Sequence, residues 1–137
     1  MKKQRRSPRS LDDIQTRKAI SSTAVKAFIG IMDTWDASIE NRCAILGSIT
    51  METYQGWTEG KVRTLTQDQL ERIGHVLGIY KSLCLLFSDE GGHMRWFKSP
   101  NHENCFQGKS PFERIARGHI TSLIAVRSYI DAMRGAA

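Results

Sequence analysis

An all-α fold follows from three features of the sequence. Apolar residues recur at spacings of three and four, no segment alternates with period two, and Ser or Thr stands before runs that end at glycine. Ser21 or Ser22 is placed to cap a helix running to about Trp35, with Val25, Phe28, Ile29 and Met32 on one face. Ser38 is placed to cap a second helix, Ile39 to Leu46, stopped by Gly47, and Thr50 a third, Met51 to Glu59, stopped by Gly60. Thr66 and Gln69 form a capping box for a long fourth helix, Gln67 to Phe87, whose stripe Leu70, Ile73, Leu77, Tyr80, Cys84, Phe87 marks it as the central core helix. Asp89-Glu90-Gly91-Gly92 reads as a break. A short helix over His93 to Lys98, a loop from Ser99 to Lys109, a helix Pro111 to Arg117 and a last helix Ile120 to Arg134 complete the chain. The expected architecture is a helix-turn-helix-type N-terminal bundle over 19–87, joined by the long helix to a small helical C-terminal domain over 88–137. No internal repeat is present.

Charge is distributed unevenly. Residues 1–18 carry seven basic and two acidic side chains, and the rest of the chain holds 13 basic against 12 acidic ones, so the net +6 is concentrated at the N-terminus. The segment with Ser7-Pro8-Arg9-Ser10 reads as a disordered basic tail over 1–18, either making non-specific phosphate contacts or only aiding solubility. With no apolar run of roughly 18 residues and no apolar stretch behind the charged start, neither a transmembrane helix nor a signal peptide is expected, and the expected location is cytoplasmic. The cysteines Cys43, Cys84 and Cys105 are odd in number and form no CxxC pair, as for reduced thiols.

Several motifs are tested and set aside. Gly108-Lys109-Ser110 ends like a phosphate-binding loop, but the position that needs the first glycine is Glu103, so the segment reads as a capped helix start with Pro111 at its first position, Glu113 at its third and Gly118 past its end. His102-Glu103-Asn104-Cys105-Phe106 begins like HExxH and lacks the second histidine, and His93, His102 and Cys105 fit no zinc spacing, so they read as surface histidines and a half-buried cysteine. No catalytic residue, metal site or cofactor is expected. Gly74 and Gly78 read as permitting a close helix crossing.

Residues 36–64 have the layout of a helix-turn-helix, whose second short helix and its exit would present Thr50, Met51, Thr53, Tyr54, Gln55, Lys61 and Arg63 to DNA, with Gln55 suited to adenine and Thr53 to a thymine methyl. The same stretch has a net charge of −1, including Glu52, so a purely structural three-helix unit stands as the alternative. The C-terminal third is rich in aromatic residues and arginine, types enriched at protein interfaces, and Arg127 and Arg134 lie seven apart on one helix face.

The run Trp35, Leu46-Gly47, Thr53-Tyr54, Trp57, Gly60, Leu65-Thr66, Asp68 to Ile73, Leu77 to Lys81, Leu86-Phe87 resembles the helix-turn-helix module of the Xre/MbcA/ParS antitoxins. Trp96, Pro100-Asn101, Phe106, Gly108, Ser110-Pro111, Gly118, Val126-Arg127, Tyr129, Asp131 and Arg134-Gly135 resemble their C-terminal toxin-binding domain. The resemblance implies a type II antitoxin without enzymatic activity. It would cover the NAD cleft of a RES-domain toxin that consumes NAD or ADP-ribosylates. It would also bind its own promoter as autorepressor and act as a homodimer within a toxin–antitoxin hetero-oligomer. Residue type and family position nominate Arg117, Arg127, Tyr129 and Arg134 as toxin contacts, with Asn101 positioning its loop. Met51, Glu52 and Gly56 stand where the family commonly has serine and basic residues. A stand-alone helix-turn-helix transcriptional regulator is the alternative from a different class.

Overall fold

The computed structural model describes residues 10–135, and these are all-α, with seven helices and no strand. α1 spans Ile14–Thr34, α2 Ile39–Ile45, α3 Met51–Thr58, α4 Gln67–Leu86, α5 Glu90–Lys98, α6 Pro111–Ile115 and α7 Ile120–Met133.

Two helix starts differ from the sequence expectation. α1 begins at Ile14 because Asp13 caps it, accepting from the Gln15 N–H at 2.9 Å, whereas Ser21 is buried inside the helix. The Ser21 hydroxyl donates to the Arg17 carbonyl at 2.6 Å and accepts from the Leu65 N–H at 3.0 Å, so it fastens α1 to the segment before α4. Residues 14–18 of the basic stretch are therefore helical, and Arg17 donates to the carbonyls of Leu65 and Leu11 at 3.1 and 2.9 Å. Residues 1–9 of the expected tail lie outside the described residues. α5 begins at Glu90, within the expected break: Asp89 accepts from the Gly92 N–H at 2.6 Å, and the cap outweighs the poor helix propensity of the glycines. Elsewhere the expected caps are present, Ser38, Thr50, and the capping boxes Thr66/Gln69 and Ser110/Glu113. Backbone and hydroxyl donors of Ser110 hold the Glu113 carboxyl below the usual range.

α4 is the central element, packed against both α1 and α7. Its buried arc is Leu70, Ile73, Val76, Ile79 and Leu83, while Leu77 and Cys84 of the expected stripe are exposed. A helix covered on two sides buries a wider, displaced arc than a single 3–4 stripe describes. The buried apolar residues form one cluster from Val25 to Ile130. Trp35, fully buried, lies at its centre, with ring centroids 4.4 Å from Phe97, 6.2 Å from Tyr80 and 6.4 Å from Phe112. Its indole N–H donates to Nε2 of His93 at 2.9 Å. His93 is thus a buried core histidine and not a surface one; burial pushes its pKa down, against the opposing charge of Glu90.

Arg72 locks three segments together. Its guanidinium donates to Asp68 on α4 at 2.8 Å, to the Ile45 carbonyl ending α2 at 3.2 Å, and to the Gly118 carbonyl between α6 and α7 at 2.7 Å. Gly118 has φ +87°, and a Cβ there would stand 2.6 Å from the Ala44 carbonyl oxygen, so only glycine permits this approach of the C-terminal part to α2. Gly78 accommodates the Arg127 guanidinium, whereas a Cβ on Gly74 would meet nothing within 4 Å, so among the described residues no element crosses closely at Gly74.

Candidate functional site

The loop 99–109 is closed upon itself. Asn101 N–H donates to the Lys109 carbonyl at 3.0 Å, Gly108 N–H to the Asn101 carbonyl at 2.9 Å, and the Asn101 side chain accepts from the Glu103 N–H at 3.0 Å. Gln107 and Gly108 take positive φ, 53° and 82°, to complete the turn. Asn101 therefore organises the loop through its own backbone and side chain. Phe106 is buried and anchors the loop in an aromatic group. Its ring meets Tyr129 at 4.9 Å and Trp96 at 6.1 Å, both edge-on, and Trp96 stacks on Tyr129 at 6.3 Å. Phe87 extends the group at 6.2 Å from Trp96. Phe87, Trp96 and Tyr129 are each only half-buried, so α4, α5 and α7 together present an aromatic surface of 82–136. Burial pushes the Tyr129 phenol up.

The Gly108-Lys109-Ser110 segment belongs to this scaffold. The backbone donors a phosphate-binding loop would use are occupied: Gly108 N–H donates to the Asn101 carbonyl and Lys109 N–H to the Phe106 carbonyl, both at 2.9 Å, and Ser110 N–H to the Glu113 carboxylate at 3.0 Å.

The structure disperses the other nominated toxin contacts. Arg127 lies across Gly78 with Nη1 3.3 Å from His75 Nδ1, and burial together with this cation lowers the His75 pKa. Arg134 donates to Ser82 Oγ at 3.2 Å, beside the Ser82-to-Asp131 hydrogen bond of 2.8 Å, and stands 3.9 Å from Asp131. The two arginines do share a helix face, and that face is turned to α4. Arg117 is exposed, in the turn beside Gly118 at the α2 end, distant along α7 from Tyr129. Leu85, Ile124 and Met133 are exposed apolar residues of the same region that residue-type reasoning passed over; their one sequence signal is that they fall off the buried register.

On the opposite part of the chain, α2 and α3 are joined by a turn in which Gly47 and Ser48 have φ of 85° and 68°. Thr50 is the α3 cap, hydrogen-bonded to Thr53, and Met51, Thr53 and Gln55 are exposed, Gln55 donating to Glu59 at 3.2 Å. Tyr54 is the exception among the DNA-facing candidates. It is fully buried against Trp57, and its hydroxyl accepts from Arg42 at 3.0 Å, because the fourth position of α3 points back at α2. Lys61 pairs with Glu59 at 3.3 Å, and Arg63 is exposed with no hydrogen bond or ion pair among the described residues. α3 and the segment from Lys61 to Leu65 line a half-open cleft of about 420 Å³.

Among the described residues no group of three or more His, Cys, Asp or Glu could hold a metal, and no helix is long and apolar enough to cross a membrane. The cysteines are unpaired, Cys43 buried, Cys105 half-buried and Cys84 exposed.

Comparison with known proteins places this geometry. Residues 82–136, which contain the aromatic surface, the closed loop and α7, match the family described as antitoxin Xre/MbcA/ParS C-terminal toxin-binding domain. An uncharacterized protein of Sinorhizobium fredii (strain NBRC 101917 / NGR234), y4oB, is 34% identical over 111 residues, covering 81% of this chain and 84% of the relative. Residues 82–136 therefore belong to the toxin-binding domain family of the Xre/MbcA/ParS antitoxins, and the chain as a whole belongs to one family with y4oB.

Proposed function

We propose that this protein is a type II antitoxin that neutralises a RES-domain toxin by covering its NAD cleft. The observation that carries this reading is the match of residues 82–136 to the toxin-binding domain. Within that segment the half-buried Phe87, Trp96 and Tyr129, with exposed Leu85 and Met133 on the same region, offer the contact area. Neutralisation requires only a stable complex, and an interface of about 1,600 Å² reaches nanomolar affinity when a few aromatic or arginine anchors are well packed. Of the nominated arginines Arg117 and Arg134 are exposed; Arg134, bonded to Ser82, and Arg127, laid on Gly78, hold α7 against α4, and Asn101 holds the loop.

The second role is autorepression, with a homodimer binding its own promoter through the helix-turn-helix formed by α2 and α3. The exposed Thr53 and Gln55 on α3 and the cations Lys61 and Arg63 behind them favour it. If this role alone operated, the protein would be a stand-alone regulator. Co-expression distinguishes the two. A host expressing the RES-domain partner alone should stop growing as NAD falls, and this protein should restore both and copurify with the partner. Failure to rescue, with promoter binding intact, would favour the regulator.

A further inference from the structure

We infer that the cavity between α3 and the Lys61–Leu65 segment is a seat for a phosphate group carried by a nucleotide, most simply one in a DNA backbone. This rests on the promoter-binding part of the proposed function and goes beyond it, since it assigns the contact to a concave site instead of the α3 surface.

The lining explains the chemistry. Arg63 supplies a cation with no intramolecular partner among the described residues, and Lys61 a second one, paired at the surface with Glu59 at 3.3 Å, a pair a phosphate would have to compete with. Gln69 accepts from the Thr66 N–H through Oε1 at 2.9 Å, which orients the amide and leaves Nε2 as a donor without a partner among the described residues. The Thr64 hydroxyl likewise has no partner among the described residues. A concave site with two cations and two unpaired neutral donors suits a tetrahedral oxyanion, which accepts several hydrogen bonds at once. The volume of about 420 Å³ exceeds a bare phosphate and leaves room for the attached sugar. Trp57 forms part of the wall and holds α3 against it.

Glu52 is the one carboxylate in the lining, and it sits in the first turn of α3. Its charge opposes a bound phosphate, so the seat is tuned to weak binding that needs reinforcement. Reinforcement is available nearby. Arg17 bridges the carbonyls of Leu11 and Leu65, which puts a third cation beside the seat. The seat would fix the register on the phosphate backbone.

The test uses the full chain and three variants, Lys61→Gln with Arg63→Gln, Glu52→Gln, and the triple combination. All three positions are exposed, and unchanged thermal unfolding confirms that folding is intact. Anisotropy is followed for labelled promoter and random duplexes across a salt series, and the Trp57 side-chain NMR signal is followed with inorganic phosphate and with AMP. The expected result is duplex binding that falls about tenfold in the double variant. The slope of log K against log salt should also become shallower by about 1 to 2, since each phosphate contact contributes about 0.9. Glu52→Gln should tighten binding severalfold. Duplex binding that is unchanged in the double variant overturns the seat and leaves promoter binding to other residues. If the wild type binds no duplex while phosphate or AMP shifts Trp57 only when Lys61 and Arg63 are present, the seat stands for a free phosphorylated ligand and the promoter role falls. Neither duplex binding nor a phosphate response overturns both.

Discussion

On the α3 side of the molecule, Gln55, Lys61 and Arg63 stand at the surface, and their bonds, where they have any, are local ones to Glu59. In the C-terminal region the residues of the same interface-favouring types are mostly engaged inward: Arg127 on Gly78, Arg134 on Ser82, Phe106 beneath Tyr129 and Trp96. Arginine and aromatic side chains serve packing and recognition with the same properties, large area and directional donors, so residue type alone does not separate the two uses. Position in the fold does. A cation next to a helix-interior glycine on a neighbouring helix is structural, and a cation on a cavity rim without a partner is available to a ligand.

This contrast predicts that substitutions in the C-terminal region act first on stability and those on the α3 side on binding. The largest effect should come from Trp35→Ala, which empties the site where α1, α4, α5 and α6 meet; the loss should be about 3 to 5 kcal/mol, read by denaturant unfolding. Gly118→Ala should follow, at about 3 kcal/mol, since the Cβ meets the Ala44 carbonyl in a left-handed backbone and detaches the C-terminal part from α2. A stable Gly118→Ala protein would show that the two parts are not joined there.

The next effect is pH-dependent. Burial depresses the folded His93 pKa, against the opposing charge of Glu90, and the neutral ring accepts the Trp35 N–H inside the core. The unfolded chain then binds the extra proton first. Stability is full above the ordinary histidine value near 6.5, falls as the pH drops below it, and levels off only below the depressed folded value. His93→Gln, which does not titrate, should flatten that portion of the unfolding curve between neutral and mildly acid pH. His75, lowered by burial and Arg127, should contribute to the remaining slope in the same direction.

Smaller still is the matched pair Arg127→Ala and Arg63→Ala. The first should lower stability by about 1 kcal/mol through lost packing on α4. The second should stay within about 0.5 kcal/mol, as for an exposed side chain without partners. Equal effects on stability would erase the distinction between the regions.

Much of the fold was legible because helix boundaries here are written in capping chemistry. Thr66 with Gln69 and Ser110 with Glu113 sit where the sequence places them, and so do Ser38 and Thr50. The misplaced starts share one cause. Ser21 has the composition of a cap and is used instead as a tertiary bridge to Leu65, while Asp13 and Asp89 cap segments that looked like tail and break. For the site, the resemblance nominated Asn101 and Tyr129, and the structure places them in the closed loop and in the aromatic group. Tyr54 could not be separated from its exposed neighbours, because its inward direction depends on where α2 packs. The inward turn of Arg127 likewise depends on Gly78, which lies about fifty residues away in sequence and reads by itself as a helix-crossing glycine.

The most direct test of the antitoxin reading is NAD consumption by the purified RES-domain partner, titrated with the full-length chain. Inhibition that is complete at a fixed stoichiometric ratio, and is weakened when Trp96 and Tyr129 are replaced by residues that keep the domain folded, is the result expected. Undiminished NAD consumption in the presence of a formed complex would contradict coverage of the NAD cleft, and no complex at all would contradict the pairing with a RES-domain toxin.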